Sequence, residues 1–414
     1  MKVLIISEYN IFTTIGGTEY YVDMLIKGLL EKRVEVVLVT KGTQRNESAT
    51  KLHEHKSFKY KTIFLAARNF TRKEITQQIV SSTWDEMLPV MLQERPDVVH
   101  VHTYTTFFNI RHFEKCKEHF NKIFFTSHVP GNFCPKGDLI KYNKKPCDGI
   151  IYFRCSVCLF SKGIKEGVSN LLFQYYRKVL SRLQILNNLG VKLICVSEWQ
   201  KQQVISNGFT EGHISIVRQA ISVANYSSPY QENINEEFTI GYLGRLSPEK
   251  GSLFLLKIIS KLIVSSRFRF VLGIPIENSN PDDVSLLRTL CEEAGERITV
   301  MENIDASNKE LFFNEIDCLL VPSFCIETGP IVLLEALVFN KQAVVPDVGG
   351  PLELKSAFSE NVTIYHWNNL QSVVESLLAV SKKPRIQMNT FRLIEERENL
   401  FINRHEEIYS EVVF

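Results

Sequence analysis

The sequence predicts an α/β protein built of two doubly wound domains, and three observations carry that expectation. Short β-branched runs bounded by turns alternate with segments of helical period along the chain. At 414 residues the chain exceeds the length, about 250–300 residues, at which a single hydrophobic core stops growing. The alternation also lapses once and then restarts. A polar, turn-rich passage from Asn225 to Glu237 separates the halves, which puts a boundary between residues 218 and 237.

In the first half, KVLIIS (2–7) reads as a buried strand, and Val22, Leu25, Ile26 and Leu29 follow at the spacing of an amphipathic helix. VEVVLVT (34–40), DVVHV (97–101), KIFFTS (122–127) and VKLICVS (191–197) are further strands, apolar enough to be covered on both faces. The second half restarts with FTIGYLG (238–244), then Leu255, Ile258, Ile259 and Leu262 at helical spacing. FRFVLG (268–273), ITVM (298–301), DCLLVP (317–322) and AVVP (343–346) continue the pattern. The expected domains are 1–218, with a cysteine-containing insertion at 128–160, and 219–395. A helix over 396–414 is expected to pack back on the first domain.

A hydrophobic share of 44%, a charged share of 23% and a net charge of +2 are those of an ordinary globular protein. They give no global attraction to nucleic acid or to a membrane. No apolar run approaches the roughly 20 residues that span a bilayer, and MKVLIISEYNIFTT lacks the cleavage pattern of a signal peptide, so a cytoplasmic location is expected. Nine cysteines scattered over a long chain do not read as a disulfide framework.

Three motifs carry chemistry. Gly16-Gly17 follows the first strand and opens the first helix, where a bare backbone and free amides can meet an anion; mere turn chemistry is the alternative. GRLSPEKG (244–251) also follows a strand, and its Arg245 and Lys250 suit a diphosphate, one as a planar fork and one as a point charge; a solvated basic turn is the alternative. In ETGPIVLLEAL (327–337), Pro330 is expected at the first helical position, with Gly329 as the cap and unpaired amides beyond it. Glu327 then precedes the helix and Glu335 lies along it. Flanking Leu, Ile and Val residues imply that Glu335 is buried and needs a partner.

In order along the chain, Gly16-Gly17-Thr18-Glu19, DVVHVH, TSHVPGNFCPKG (126–137), VSEWQKQQVISNGF (196–209), GRLSPEKG, DCLLVPS (317–323), the spaced glutamates and DVGGPLEL (347–354) resemble the retaining glycosyltransferases of the GT-B fold, specifically family 4. The resemblance implies two Rossmann-like domains facing across a cleft. It implies a nucleoside-diphosphate sugar held mainly by the C-terminal domain and a carbohydrate or lipid-linked acceptor on the N-terminal one. No cofactor is implied for the transfer. Arg245 and Lys250 look like the diphosphate pair, Glu335 like the ribose carboxylate and Glu327 like the partner of the donor sugar's hydroxyls. Gly16 and Gly17 approach the diphosphate in this likeness, and His128 resembles the histidine beside the transferred sugar. The family's common Glu-Gly-Phe-Gly is Glu-Thr-Gly-Pro here; with Pro330 lacking an amide, the backbone grip on the sugar is expected from Thr328, Gly329 and Ile331.

Cys134, Cys147, Cys155 and Cys158 fall together after His128 and suit a tetrahedral structural zinc, with free thiols or two disulfides as the alternatives. His100 and His102 share a strand face, as a metal pair or as ordinary polar residues of a strand end. Residues 161–186 and 56–73 combine basic and apolar positions, which fits peripheral contact with the inner face of a membrane or simple domain packing. Two rival functions are a GT-B sugar-nucleotide epimerase, which would need acid–base carboxylates in the cleft, and a zinc-containing nucleic-acid-binding protein. Near-neutral net charge speaks against the second, so no nucleic-acid partner is expected.

Overall fold

In the computed structural model of the chain, the described residues are 1–13, 16–42, 48–71, 73–74, 79–134, 136–147, 149, 154–155, 157–158, 181–223, 226, 237–304, 308–383 and 390–411. They form two units: Met1–Gln219 with Asn399–Phe414, and Ala220–Glu398.

In the first unit, β1 (Lys2–Ile6), β2 (Glu35–Lys41), β3 (Ala49–His55), β4 (Phe58–Leu65), β5 (Val98–Val101), β6 (Ile123–Ser127), β9 (Lys192–Cys195) and β10 (Ile214–Ile216) make one sheet. Its order is β10-β9-β6-β5-β1-β2-β4-β3. Every pairing is parallel except β3 with β4. The chain winds outward from β1 in one direction and from β5 in the other, so the strand order reverses between these two neighbours, where doubly wound sheets bind ligands beyond the strand ends. A separate two-stranded ribbon joins β7 (Ile140–Lys141) and β8 (Lys145–Pro146). Helix α1 (Gly17–Glu31) buries Val22, Leu25, Ile26 and Leu29 on the sheet. Helices α2 (Trp84–Glu94), α3 (Ile110–Lys117) and α4 (Glu198–Ser206) complete the crossovers.

Within residues 56–73, Ile63, Phe64 and Leu65 of the hairpin β3–β4, with Ala66 just after it, are buried in the sheet's own packing, and Lys61 is tied to Glu94. Of the basic and apolar segment 161–186, residues 161–180 lie outside the described ones. Within the rest, Leu183 and Leu186 are buried and the Arg182 guanidinium lies 3.7 Å above the Tyr104 ring.

In the second unit, β11 (Phe238–Leu243), β12 (Phe268–Ile274), β13 (Ile298–Glu302), β14 (Cys318–Leu320), β15 (Gln342–Pro346) and β16 (Val362–Tyr365) form an all-parallel sheet, order β13-β12-β11-β14-β15-β16. Its winding reverses between β11 and β14. Helices α5 (Ser252–Leu262), α6 (Pro281–Ala294), α7 (Lys309–Glu315), α8 (Ile331–Val338), α9 (Gly350–Ala357) and α10 (Leu370–Val380) cover it. Its core gathers Phe268, Phe270, Leu272, Ile258 and Ile259, none more than 1% exposed. The short strands β10 and β16, of 3 and 4 residues, lie where the sequence pattern announces no strand, being too brief to show a period.

The last helix, α11 (Thr390–Ser410), contributes its residues from Asn399 onward to the first unit. There the Tyr21 hydroxyl meets His405 Nε2 at 3.0 Å, the Tyr409 hydroxyl meets His100 Nδ1 at 2.5 Å, and Ile402 fills the space that a Cβ on Gly28 would need. Among the described residues no helix is long and apolar enough to cross a membrane.

Candidate functional site

In the second unit, three loops meet beyond the strand ends at the reversal. The first is the turn after β11. Tyr242 donates to the Arg245 carbonyl at 2.6 Å, and the Ser247 hydroxyl accepts from the Lys250 amide at 3.4 Å, setting a 3-10 turn over Pro248–Lys250. Gly251 ends it in the left-handed region, φ 73°, and a Cβ there would overlap the carbonyl of Pro322 on the second loop. That second loop, after β14, is laced to the first by the amides of Phe324 and Cys325, which donate to the Glu249 carbonyl at 3.0 and 2.9 Å. The third comes from DVGGPLEL. Gly349, φ 76°, and Gly350 lie so close to the backbone of Glu327 and Thr328 that neither tolerates a side chain, and the Gly350 amide donates to the Glu327 carbonyl at 2.9 Å.

This clamp holds Lys250 Nζ 2.6 Å from Glu327 Oε1, with the Ser323 hydroxyl donating to the same oxygen at 2.8 Å. Burial by itself would raise the Glu327 carboxyl; the Lys250 charge and hydrogen bond, then Ser323 and Arg245, outweigh it and hold the group below its ordinary range. Burial likewise works against the Lys250 ammonium, and Glu327 outweighs it, so Lys250 titrates above the usual lysine value. Both groups are charged at neutral pH. Arg245 stands exposed beside them, its charge acting on each.

Helix α8 begins one residue later than its sequence implies. Pro330, with ψ 117°, is the cap itself, not the first helical residue, and Gly329 lies before it. The Leu333 amide closes a tight first turn on the Pro330 carbonyl at 3.2 Å, while the amides of Ile331 and Val332 have no backbone partner among the described residues. Thr328 is buried beneath this end. Glu335, 2% exposed, does have the partner its burial demands. Its Oε1 accepts from Lys309 Nζ at 2.6 Å and from the Tyr226 hydroxyl at 3.1 Å. Glu327 and Glu335 therefore sit in two distinct ion pairs.

In the first unit, Gly16 caps α1 in an extended conformation, and the carboxylate of Glu19, in the first helical turn, lies where a Cβ on Gly16 would be. Burial raises the Glu19 carboxyl above its ordinary range. His128, just past β6, is buried, with Nε2 3.0 Å from His102 Nδ1 and the Tyr21 ring edge-on at 4.7 Å. Burial, with His405 adding repulsion, takes its pKa down to about 3, so the imidazole is neutral. His100 and His102 are fully buried and held well below the usual histidine value, again by burial first. His100 bonds Thr126 and Tyr409, as a polar core residue does.

Among the described residues no three His, Cys, Asp or Glu side chains gather to hold a metal, and Cys134, Cys147, Cys155 and Cys158 are free cysteines. Cys147 donates to the Gly149 carbonyl at 3.3 Å, and Cys158 accepts from the Tyr142 amide at 3.3 Å.

Sequence reasoning missed Ser323, Lys309 and Tyr226. Ser323 closes the quoted DCLLVPS run and so carried a signal. Lys309 and Tyr226 follow or sit within polar stretches without a period, and nothing local marks them.

Two family descriptions match the chain: Glycosyltransferase Family 4 over residues 15–225 and Glycosyl transferases group 1 over residues 228–396. No curated protein matches it at significance. Among solved structures it is similar to sucrose-phosphate synthase from Thermosynechococcus elongatus, with 15% identity, TM-score 0.69 and 99% of both chains covered. It is also similar to a glycosyltransferase from Rickettsia africae, with 14% identity, TM-score 0.65 and 99% and 97% of the two chains covered. Anabaena HepE in complex with UDP-glucose aligns with 12% identity, TM-score 0.63 and 99% and 100% coverage. At these identities the likeness is one of fold.

Proposed function

This chain belongs to the family 4, group 1 glycosyltransferases, and from that premise we propose that it moves a hexose-type sugar from a nucleoside diphosphate to an acceptor hydroxyl with retention at the anomeric carbon. The observation that carries the reading is the clamp of three loops around the Lys250–Glu327 pair, 2.6 Å long, beside the amides of Ile331 and Val332, which have no backbone partner among the described residues. A cation, an anion and helix-end amides are what a sugar diphosphate asks for: positive groups for the phosphates and an acceptor for the sugar hydroxyls.

In this reading Arg245 and Lys250 hold the diphosphate, Glu327 accepts from hydroxyls of the donor sugar, Thr328, Gly329 and Ile331 line its approach, and Glu335 takes the ribose. Within the first unit, Gly16, Gly17 and the neutral His128, a hydrogen-bonding group that adds no charge, are the residues we propose from the family likeness. As the bond from the anomeric carbon to the diphosphate breaks, negative charge grows on the departing oxygen, and preplaced cations and amides stabilise it without reorganising. The acceptor oxygen bonds to the same face of the carbon, and its proton leaves on the diphosphate. A lipid-linked or surface-polysaccharide precursor is the acceptor class we propose.

Thermal-shift measurements with UDP, GDP and ADP test this. A ligand at 100 times its Kd stabilises the native state by about 2.7 kcal/mol. One diphosphate is expected to raise Tm, Lys250→Ala to abolish the rise and Glu335→Gln to reduce it. Wild-type shifts in both variants would sink the assignment.

A further inference from the structure

Lys309 and Tyr226 converge on a single oxygen of Glu335, and that asymmetry has a use. Glu335 lies on α8 between Leu333, Leu334, Ala336 and Leu337, each no more than 1% exposed. A carboxylate in such surroundings keeps its charge when a cation and a hydroxyl donor satisfy it. Both donors here take Oε1, at 2.6 and 3.1 Å, and among the described residues none takes Oε2. The donors are themselves fixed. Lys309 is the first residue of α7, and the Tyr226 ring stands edge-on to Phe339 at 5.3 Å, which stacks on Phe313 at 5.1 Å. A glutamate pinned through one oxygen directs the other along one line, as a hydrogen-bond acceptor.

We propose that Lys309 and Tyr226 are positioning residues that lock Glu335 so that its second oxygen selects a nucleotide sugar with an intact ribose diol. The inference rests on the reading of Glu335 as the ribose carboxylate. Two neighbouring hydroxyls supply the donors that an ionised, immobile oxygen requires, and a sugar lacking them leaves that buried acceptor empty.

The test is the affinity of UDP, GDP and ADP, each against its 2′,3′-dideoxy counterpart, in the wild type and in Glu335→Gln, Lys309→Met, Lys309→Arg and Tyr226→Phe. For the base that binds, the wild type is expected to prefer the ribose form at least about tenfold, the effect of one hydrogen bond to a charged group. Glu335→Gln and Lys309→Met should reduce that preference to near unity while leaving dideoxy affinity within about twofold, which a general loss of structure would not do. Lys309→Arg should restore most of it. Tyr226→Phe, which removes one hydroxyl, should lower it by about threefold and stands in if Lys309→Met does not fold. If Lys309→Met and Tyr226→Phe keep the wild-type preference while Glu335→Gln loses it, the positioning role is wrong and the ribose reading stands. If the variants lose dideoxy affinity equally, the two residues serve the fold and the proposal fails. No ribose preference in the wild type, or its persistence in Glu335→Gln, overturns the ribose reading and the proposal together.

Discussion

The two units share a doubly wound sheet with one reversal of strand order, yet they stock that position with opposite chemistry. The second unit builds charge there: Lys250 against Glu327 and Lys309 against Glu335. The first builds a neutral cluster, with His100, His102, His128 and His405 buried among Tyr21, Phe401 and Tyr409. Topology fixes where a site forms; the buried side chains decide whether it meets an anion or offers uncharged hydrogen-bonding groups.

The sharpest way to break the comparison is acid. Each of the four histidines has a folded pKa below its ordinary 6.5, down to about 3 for His128 and about 4 for His405. The unfolded chain therefore binds more protons below 6.5, and the first unit loses stability as pH falls from there toward the folded values, by up to about 1.4 kcal/mol per pH unit for each histidine. Glu327, lowered from 4.5, keeps its contribution until pH drops through its depressed pKa, and Lys250, raised from 10.5, keeps its own until pH rises past that value. At about pH 5, pulsed hydrogen exchange should find β5 and β6 opening while β11 and β14 stay protected. Equal protection of both would show that the histidines titrate normally.

A smaller effect comes from the clamp. Gly349→Ala forces a Cβ onto the Glu327 carbonyl in a left-handed backbone, and is expected to cost about 2–3 kcal/mol in urea unfolding of the second unit and to weaken diphosphate binding. Melting of the first unit should not move. The smallest effect is that of Tyr409→Phe, which removes one buried hydrogen bond to His100 and should cost about 1 kcal/mol, confined to the first unit.

Strands β1, β2, β5, β6 and β9 and the second unit's β11 to β15 were legible because buried parallel strands are continuous apolar runs set off by turns. The hairpin β3–β4 was not: β3 reads ATKLHEH, a largely exposed edge strand without an apolar face. At the site, the loops that hold Lys250 and Glu327 announce themselves by glycine, proline and charge. The partners that give those charges meaning do not. Tyr226 lies 109 residues from Glu335, and His100 lies 309 from Tyr409, distances over which local pattern carries no information. Pro330 misled by one position because the rule that favours proline at the first helical residue does not forbid it at the cap.

Helix α11 passes from the second unit to the first at Asn399. The chain thus enters the second unit at Ala220 and leaves it at Glu398, and the histidine cluster is completed only by His405 and Tyr409. On the ribosome, the region synthesised first is the last to be finished. Its half-built core must wait, apolar surface uncovered, until the second unit has been made and α11 emerges, and no single proteolytic cut could separate the two units cleanly.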